Sequence, residues 1–384
     1  MLRSRLLLGL VPAILVSCSG GKSSSAPPLP GDDAGGDDGG GGSSLTYSPQ
    51  GCLYTYTPPG VLGFTDLALD STTAPVDATN GVPQRVRVGL GGGTTKGQPG
   101  YADPTTTAAF TWETAESDQA AEVKMGTDPG SLTDVHTGYT WTTPKELSAS
   151  DVYMHEVHVC GLTADTTYYY QVGGGPAGAQ VWSATQTFTT VPATGNVTVG
   201  VFGDARDTVG TWQAVNQRMR DAGVAMALID GDIVDSGTIE SLYTTWLDAI
   251  WHDPNDATKF LTLGQIPMVP VNGNHENDSS ISFANWATPG DGAYAETYGS
   301  FDVGSAHFMM IDDQQIAESI ETGGASTEAQ AQLAWIDQDL AAANADRKNH
   351  PFIVAMGHRG LFSTSNHAAD ADVLAARGAL APIY

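Results

Sequence analysis

Between residues 80 and 190, apolar positions fall in short strand-like runs. Gly, Thr, Pro and Asp separate the runs, and helical periodicity is lacking. The pattern predicts strands over 84–90, 107–114, 121–125, 154–159, 167–172 and 184–190. In Ala121-Glu122-Val123-Lys124-Met125 the alternation is plain. Regular spacing of this kind predicts an all-β sandwich, with Trp112 between its sheets. His155 and His158 fall on one predicted strand. Alternation sends them to opposite faces, which argues against a shared metal.

From Gly195 the period changes. Apolar runs at 196–202, 224–229, 267–271, 306–311 and 352–356 alternate with amphipathic segments at about 211–221, 239–251 and 327–343. The largely β-branched run 196–202 predicts a strand buried on both faces. Thr327-Glu328-Ala329-Gln330 predicts a capping box, with Leu333, Ile336 and Leu340 on one helical face. Strands alternating with helices indicate a layered α/β domain.

Candidate chemistry sits just after the strands, where open α/β sheets place their sites. Gly203-Asp204, Gly231-Asp232, Gly273-Asn274-His275-Glu276 and Gly357-His358 each follow an apolar run. One Gly-Asp is also a common turn; four strand ends delivering Asp, Asp, Asn and His together indicate a metal centre. Oxygen ligands with imidazole suit Fe, Zn or Mn, and two ions can share one bridging carboxylate.

The N-terminus reads differently. Two arginines precede an apolar run from Leu6 to Val16, the pattern of an export signal and too short to span a bilayer. The run ends Val16-Ser17-Cys18, which resembles a bacterial lipobox with Cys18 lipidated. Residues 1–18 are therefore expected to be a signal, and residues 19–45, rich in Gly, Ser and Asp, a tether that cannot bury a core. This places the protein in the bacterial cell envelope, anchored to the membrane by lipid. In that oxidising setting Cys52 and Cys160 either pair or remain two buried thiols. The 384 residues carry 43 acidic and 16 basic side chains, a formal charge of −27. Such a surface repels phosphate backbones and excludes nucleic-acid binding through a basic patch. Part of that charge belongs to the tether and part to the candidate ligands.

These motifs resemble those of the calcineurin-like metallophosphoesterases, most closely the purple acid phosphatase branch. The resemblance covers roughly residues 80 to 384. It rests on Gly203-Asp204-Ala205-Arg206, Gly231-Asp232-Ile233-Val234-Asp235, Gly273-Asn274-His275-Glu276, the hairpin at 298–312 and Gly357-His358-Arg359. Gly161-Leu162-Thr163 through Tyr168-Tyr169-Tyr170 is similar to the tyrosine corner of fibronectin type III domains.

The resemblance implies a fibronectin III-like sandwich over 46–191, followed over 192–384 by a metallophosphoesterase domain layered α/β/β/α. It also implies a centre of two metal ions hydrolysing small phosphomonoesters by a metal-activated hydroxide. Asp204 would bind the first ion, Asp232 would bridge, and Asn274 and His358 would bind the second. His275 and His367 would contact phosphate, one of them protonating the leaving group. Arg206 would contact phosphate, or pair with Asp235. Asp235 stands where purple enzymes carry an iron-binding tyrosine, so no purple colour is expected. Trp212, Trp246, Trp251 and Trp286 read as core or rim aromatics, and His252, His307 and His350 have no supporting neighbours in sequence. The family's final Gly-His-x-His is not found, so the domain is expected to be incomplete at its C-terminus. Weak metal binding and little turnover follow, and the alternative is a non-catalytic surface protein that retains the fold.

Overall fold

In the computed structural model of the chain, the structure describes residues 47–54, 68–69, 81–92, 101–115, 121–143, 152–175, 178–206, 208–253, 256–288, 296–364 and 367–384. The expected signal with Cys18, and the expected tether, lie outside the described residues.

Among the described residues, ten strands form two facing sheets. They are β1 (Ala68–Leu69), β2 (Gln84–Gly89), β3 (Thr107–Thr114), β4 (Glu122–Gly126), β5 (Asp134–Thr137) and β6 (Tyr139–Thr143), then β7 (Val152–Cys160), β8 (Thr167–Gly174), β9 (Val181–Trp182) and β10 (Gln186–Thr189). One sheet runs β1-β6-β7-β3-β2; the other runs β10-β8-β4-β5, with β9 on β8. Val88, Phe110, Trp112 and Val157 from the first meet Val123, Tyr170, Val172 and Phe188 from the second. Each fully buried apolar side chain contributes about 1.5–3 kcal/mol of transfer energy. Leu162 packs into this core, and the Thr163 N–H donates to the Tyr168 hydroxyl at 2.9 Å, tying the corner.

Cys52 and Cys160 form a disulfide with Cα atoms 5.1 Å apart. Closing a loop of this length stabilises by roughly 4–5 kcal/mol in the chain-entropy picture. His155 and His158 take opposite faces of β7. His155 stacks on Trp112 between the hydroxyls of Thr114 and Thr140, and burial pushes its pKa down to about 3. His158 lies between the Tyr54 hydroxyl and Glu156.

The second half comprises β11 (Val199–Phe202), α1 (Val209–Ala222), β12 (Met226–Asp230), α2 (Glu240–Trp251), β13 (His252–Asp253), β14 (Asp256–Phe260) and β15 (Met268–Val271). It continues with α3 (Ser280–Asn285), β16 (Gly299–Val303), β17 (Ala306–Met310), α4 (Asp313–Glu321), α5 (Thr327–Ala345), β18 (Phe352–Met356) and α6 (Ala371–Leu380). A parallel sheet β11-β12-β15 faces a mixed sheet β16-β17-β18. The side-chain period of two builds the layers. Met226 and Leu228 of β12 meet Phe308 and Met310 of β17 between the sheets. Ala227 and Ile229 turn outward onto Trp212, Trp246 and Leu247, under α1 and α2. Met309 turns outward onto Ile316 and Ile336 of α4 and α5. The result is an α/β/β/α stack.

Two local expectations are corrected. Ser326, not Thr327, caps α5, its hydroxyl accepting the Ala329 N–H at 3.1 Å. The helix starts one residue early, Ala329 takes the third helical position, and no capping box with Gln330 forms. The strand at 196–202 is also not buried on both faces. β11 is the edge of its sheet, and Val201 is 57% exposed.

The sandwich sits against the second half through directed bonds. The Tyr170 hydroxyl donates to the Gly264 carbonyl at 2.6 Å. Arg85 bridges Glu113 at 2.8 Å and Asp248 on α2 at 2.9 Å.

Candidate metal centre

The loops after β11, β12, β15 and β18 converge at one end of the two sheets. Asp204 and Asp232 both hold left-handed backbones, with φ of 52° and 51°. Such conformations cost about 1–3 kcal/mol for non-glycine residues, and they concentrate where function fixes a side chain. Gly231 precedes Asp232 at φ 76°. A Cβ there would come within 2.8 Å of Gly273 and 2.9 Å of the His358 ring, so only glycine lets the three loops close together.

Glu276 holds this junction from beneath. Its buried carboxylate accepts the backbone N–H groups of Asp232, Ile233 and Gly273, each at 2.8 Å. Burial, then the charge of Asp232, raises its pKa. Asp313, also buried, accepts the N–H groups of His358 at 3.0 Å and Arg359 at 2.7 Å, fixing the fourth loop. Burial pushes Asp313 up to about 6. Neither carboxylate was assigned a role from sequence. Glu276 was visible within Gly273-Asn274-His275-Glu276, and Asp313 follows β17, the parallel neighbour of β18.

The structure gathers Asp204, Asp232 and His358 so that one potential ligand atom from each lies within 4.8 Å of the others. His358 Nδ1 lies 2.8 Å from the Asp230 carbonyl, so this nitrogen carries the proton and donates. In the neutral ring, Nε2 then presents a lone pair. It faces Asn274 Oδ1 at 3.1 Å and Asp232 Oδ1 at 3.3 Å. An imidazole nitrogen, an amide oxygen and a carboxylate oxygen converge on one point, and that arrangement calls for a cation.

The opposite side already holds one. Arg206 Nη2 lies 3.2 Å from Asp204 Oδ1 and 3.7 Å from Asp232 Oδ2, while Nη1 lies 2.8 Å from His275 Nε2. The expected pairing of Arg206 with Asp235 is the longest of these contacts, at 4.0 Å. His275 donates its backbone N–H to Asp232 Oδ1 at 3.1 Å, and its Nδ1 bonds the Asp235 carbonyl at 2.8 Å. His367 is not among the clustered ligand atoms; it is exposed on the turn before α6, its Nδ1 2.7 Å from Asp370 Oδ2.

Two histidines read as unsupported prove to be enclosed by carboxylates. His307 bridges Asp302 and Asp339, each at 2.8 Å, and His350 lies 3.0 Å from Asp346. Burial pulls the His307 pKa down, but bonds to the two aspartates outweigh it and raise the value to about 9. The tryptophans behave as expected of core groups: Trp212 stacks on Trp246 at 4.3 Å, and Trp246 meets Trp286 edge-on.

Comparison with known proteins adds the family. Residues 98–190 match the purple acid phosphatase N-terminal domain, and residues 197–380 match the calcineurin-like phosphoesterases. Purple acid phosphatase 18 of Arabidopsis thaliana is 24% identical over 267 residues, covering 67% of this chain and 54% of that protein. Acid phosphatase type 7 of Homo sapiens is 24% identical over 283 residues, covering 70% and 58%. The solved purple acid phosphatase PPD1 from yellow lupin (Lupinus luteus) seeds shares the fold, with a TM-score of 0.56 at 17% identity, over 73% of this chain and 52% of that one. The chain spans about half the length of the curated relatives it matches. The family implies a dinuclear metal centre. Here the donor set around His358 Nε2 fits one ion; the place beside Asp204 is taken by a guanidinium.

Proposed function

We propose, for a chain that matches the purple acid phosphatase N-terminal domain over residues 98–190 and the calcineurin-like phosphoesterases over residues 197–380, that the strand-end cluster is a hydrolytic centre for small phosphomonoesters. The observation that carries this reading is the convergence of His358 Nε2, Asn274 Oδ1 and Asp232 Oδ1, with Asp204 in reach. These residues would hold a metal ion, which would supply a water of lowered pKa and charge to offset the phosphate oxygens. The chain's own groups do the rest. Asp230 and Asp313 orient the His358 ring and loop, and Glu276 fixes the Asp232 loop. Arg206 presents a planar fork suited to phosphate. His275 stands beside it to contact phosphate. His367, on the turn before α6, is assigned a phosphate contact or leaving-group protonation, a step typically worth about 10²–10⁴-fold.

The strongly acidic composition disfavours polyanionic substrates and favours small ones. The arginines, apolar run and Cys18 at the start of the sequence support export and a lipid anchor in the bacterial cell envelope.

The test is hydrolysis of an aryl phosphomonoester by the purified chain after chelation and re-addition of Mn²⁺ or Zn²⁺. Slow, metal-dependent turnover is expected, and Asp232→Asn should abolish it. Turnover that persists in Asp232→Asn, or in chelator, would refute the assignment. A folded chain with no turnover under any metal would instead support the non-catalytic surface protein.

A further inference from the structure

The guanidinium of Arg206 occupies a cage built from metal-ligand atoms. Around it stand Asp204 Oδ1 at 3.2 Å, Asp232 Oδ2 at 3.7 Å, Asp235 Oδ1 at 4.0 Å and His275 Nε2 at 2.8 Å. Three carboxylates and an imidazole would suit a hard or borderline divalent ion. Instead the chain supplies its own cation, a guanidinium, which offers only N–H donors and no lone pair to a metal.

The two oxygens of Asp232 divide accordingly. Oδ1 lies on the His358 side, 3.3 Å from Nε2. Oδ2 lies on the Arg206 side. This carboxylate therefore spans two cation positions, and only one of them is open to an ion. His275 strengthens the arrangement. Its Nδ1 donates to the Asp235 carbonyl, which leaves Nε2 as an acceptor for the Arg206 N–H.

We propose that this chain holds one metal ion, between Asp232, Asn274 and His358 with Asp204 in reach, and that Arg206 serves as a built-in second cation. In this arrangement Asp232 bridges a metal and a guanidinium rather than two metals. A phosphate group bound across the site meets the ion on one side and the guanidinium on the other. The inference rests on reading the strand-end cluster as a metal centre, and it adds the number of ions and the role of Arg206.

The test is metal content after equilibration with Mn²⁺ and desalting, measured by mass spectrometry, with electron paramagnetic resonance of the bound Mn²⁺. The wild-type chain should retain one Mn²⁺ and give the spectrum of an isolated ion. Arg206→Ala vacates the cage and should raise the content to two, with an exchange-coupled signal from ions about 3.5–4 Å apart. Arg206→Lys keeps the charge and should stay at one. A circular-dichroism melt confirms that each variant is folded. Two ions in the wild-type chain, or one in folded Arg206→Ala, would overturn the proposal and leave the metal-centre reading standing. No ion in any variant would overturn both.

Discussion

The two sides of the Asp232 carboxylate solve the same electrostatic problem in different ways. On the Arg206 side the chain provides the counter-charge, with Nη1 on His275 and Nη2 on Asp204. On the His358 side Nε2, Asn274 Oδ1 and Asp232 Oδ1 converge, with the ring proton turned away to the Asp230 carbonyl; Asp232 Oδ1 also accepts the His275 N–H. The first side is complete as folded. The second is built at a cost: left-handed backbones at Asp204 and Asp232, a glycine no side chain could replace, and a carboxylate buried beneath the loops. A chain that spends stability on acceptors converging on one another has prepared them for a cation from solution. A set of acceptors converging on one point therefore says more about ligand binding than a salt-bridged one of equal charge.

The strongest way to break this contrast is to remove what supports the open side. Glu276→Gln keeps the shape of the side chain but replaces a carboxylate oxygen with an amide donor facing backbone N–H groups. Metal affinity, measured by titration calorimetry, should fall about 10–100-fold, as is usual when a residue behind the ligands is altered. An unchanged affinity in a folded Glu276→Gln variant would show that the loop is fixed without it.

A smaller effect sharpens the contrast through His307, a histidine that does carry its own charge. Its raised pKa means that the protonated ring is favoured by folding. The stability it contributes is complete below the unfolded histidine value of about 6.5, and is lost as pH rises through about 9. The melting temperature should therefore drop across that window, and His307→Gln should flatten the profile. An identical profile in the variant would remove His307 as its source.

Much of the site was legible because each ligand follows an apolar run. Asp204, Asp232, Asn274 and His358 could be assigned to strand ends from sequence alone, and the structure brings those ends together. What sequence did not reveal is how carboxylates fold back on the backbone. Nothing in the spacing of Glu276 or Asp313 says that it accepts N–H groups from loops 44 or 45 residues away. Charge pairing across a hairpin was equally hidden. His307 lies directly opposite Asp302 in the β16–β17 register, a relation that depends on where the turn falls.

The sandwich was readable where alternation was strong, as in β4. It was not readable at β5 and β6, which Gly138 separates; that glycine presses against the Glu156 carbonyl. β11 was misread because its apolar composition suits a central strand, whereas its neighbours place it at an edge. Helix α5 was located correctly, yet its cap was misassigned by one residue because Ser326 and Thr327 are adjacent and both can cap.

The most direct measurement is anomalous scattering from crystals of the chain soaked in Mn²⁺ or Zn²⁺. A peak is expected within about 2.0–2.3 Å of His358 Nε2 and Asp232 Oδ1, with Asn274 in its coordination sphere. A fully bound ion elsewhere, for instance among Asp302, Asp346 and His350, with nothing at His358, would contradict the assignment of the strand-end cluster as the metal centre.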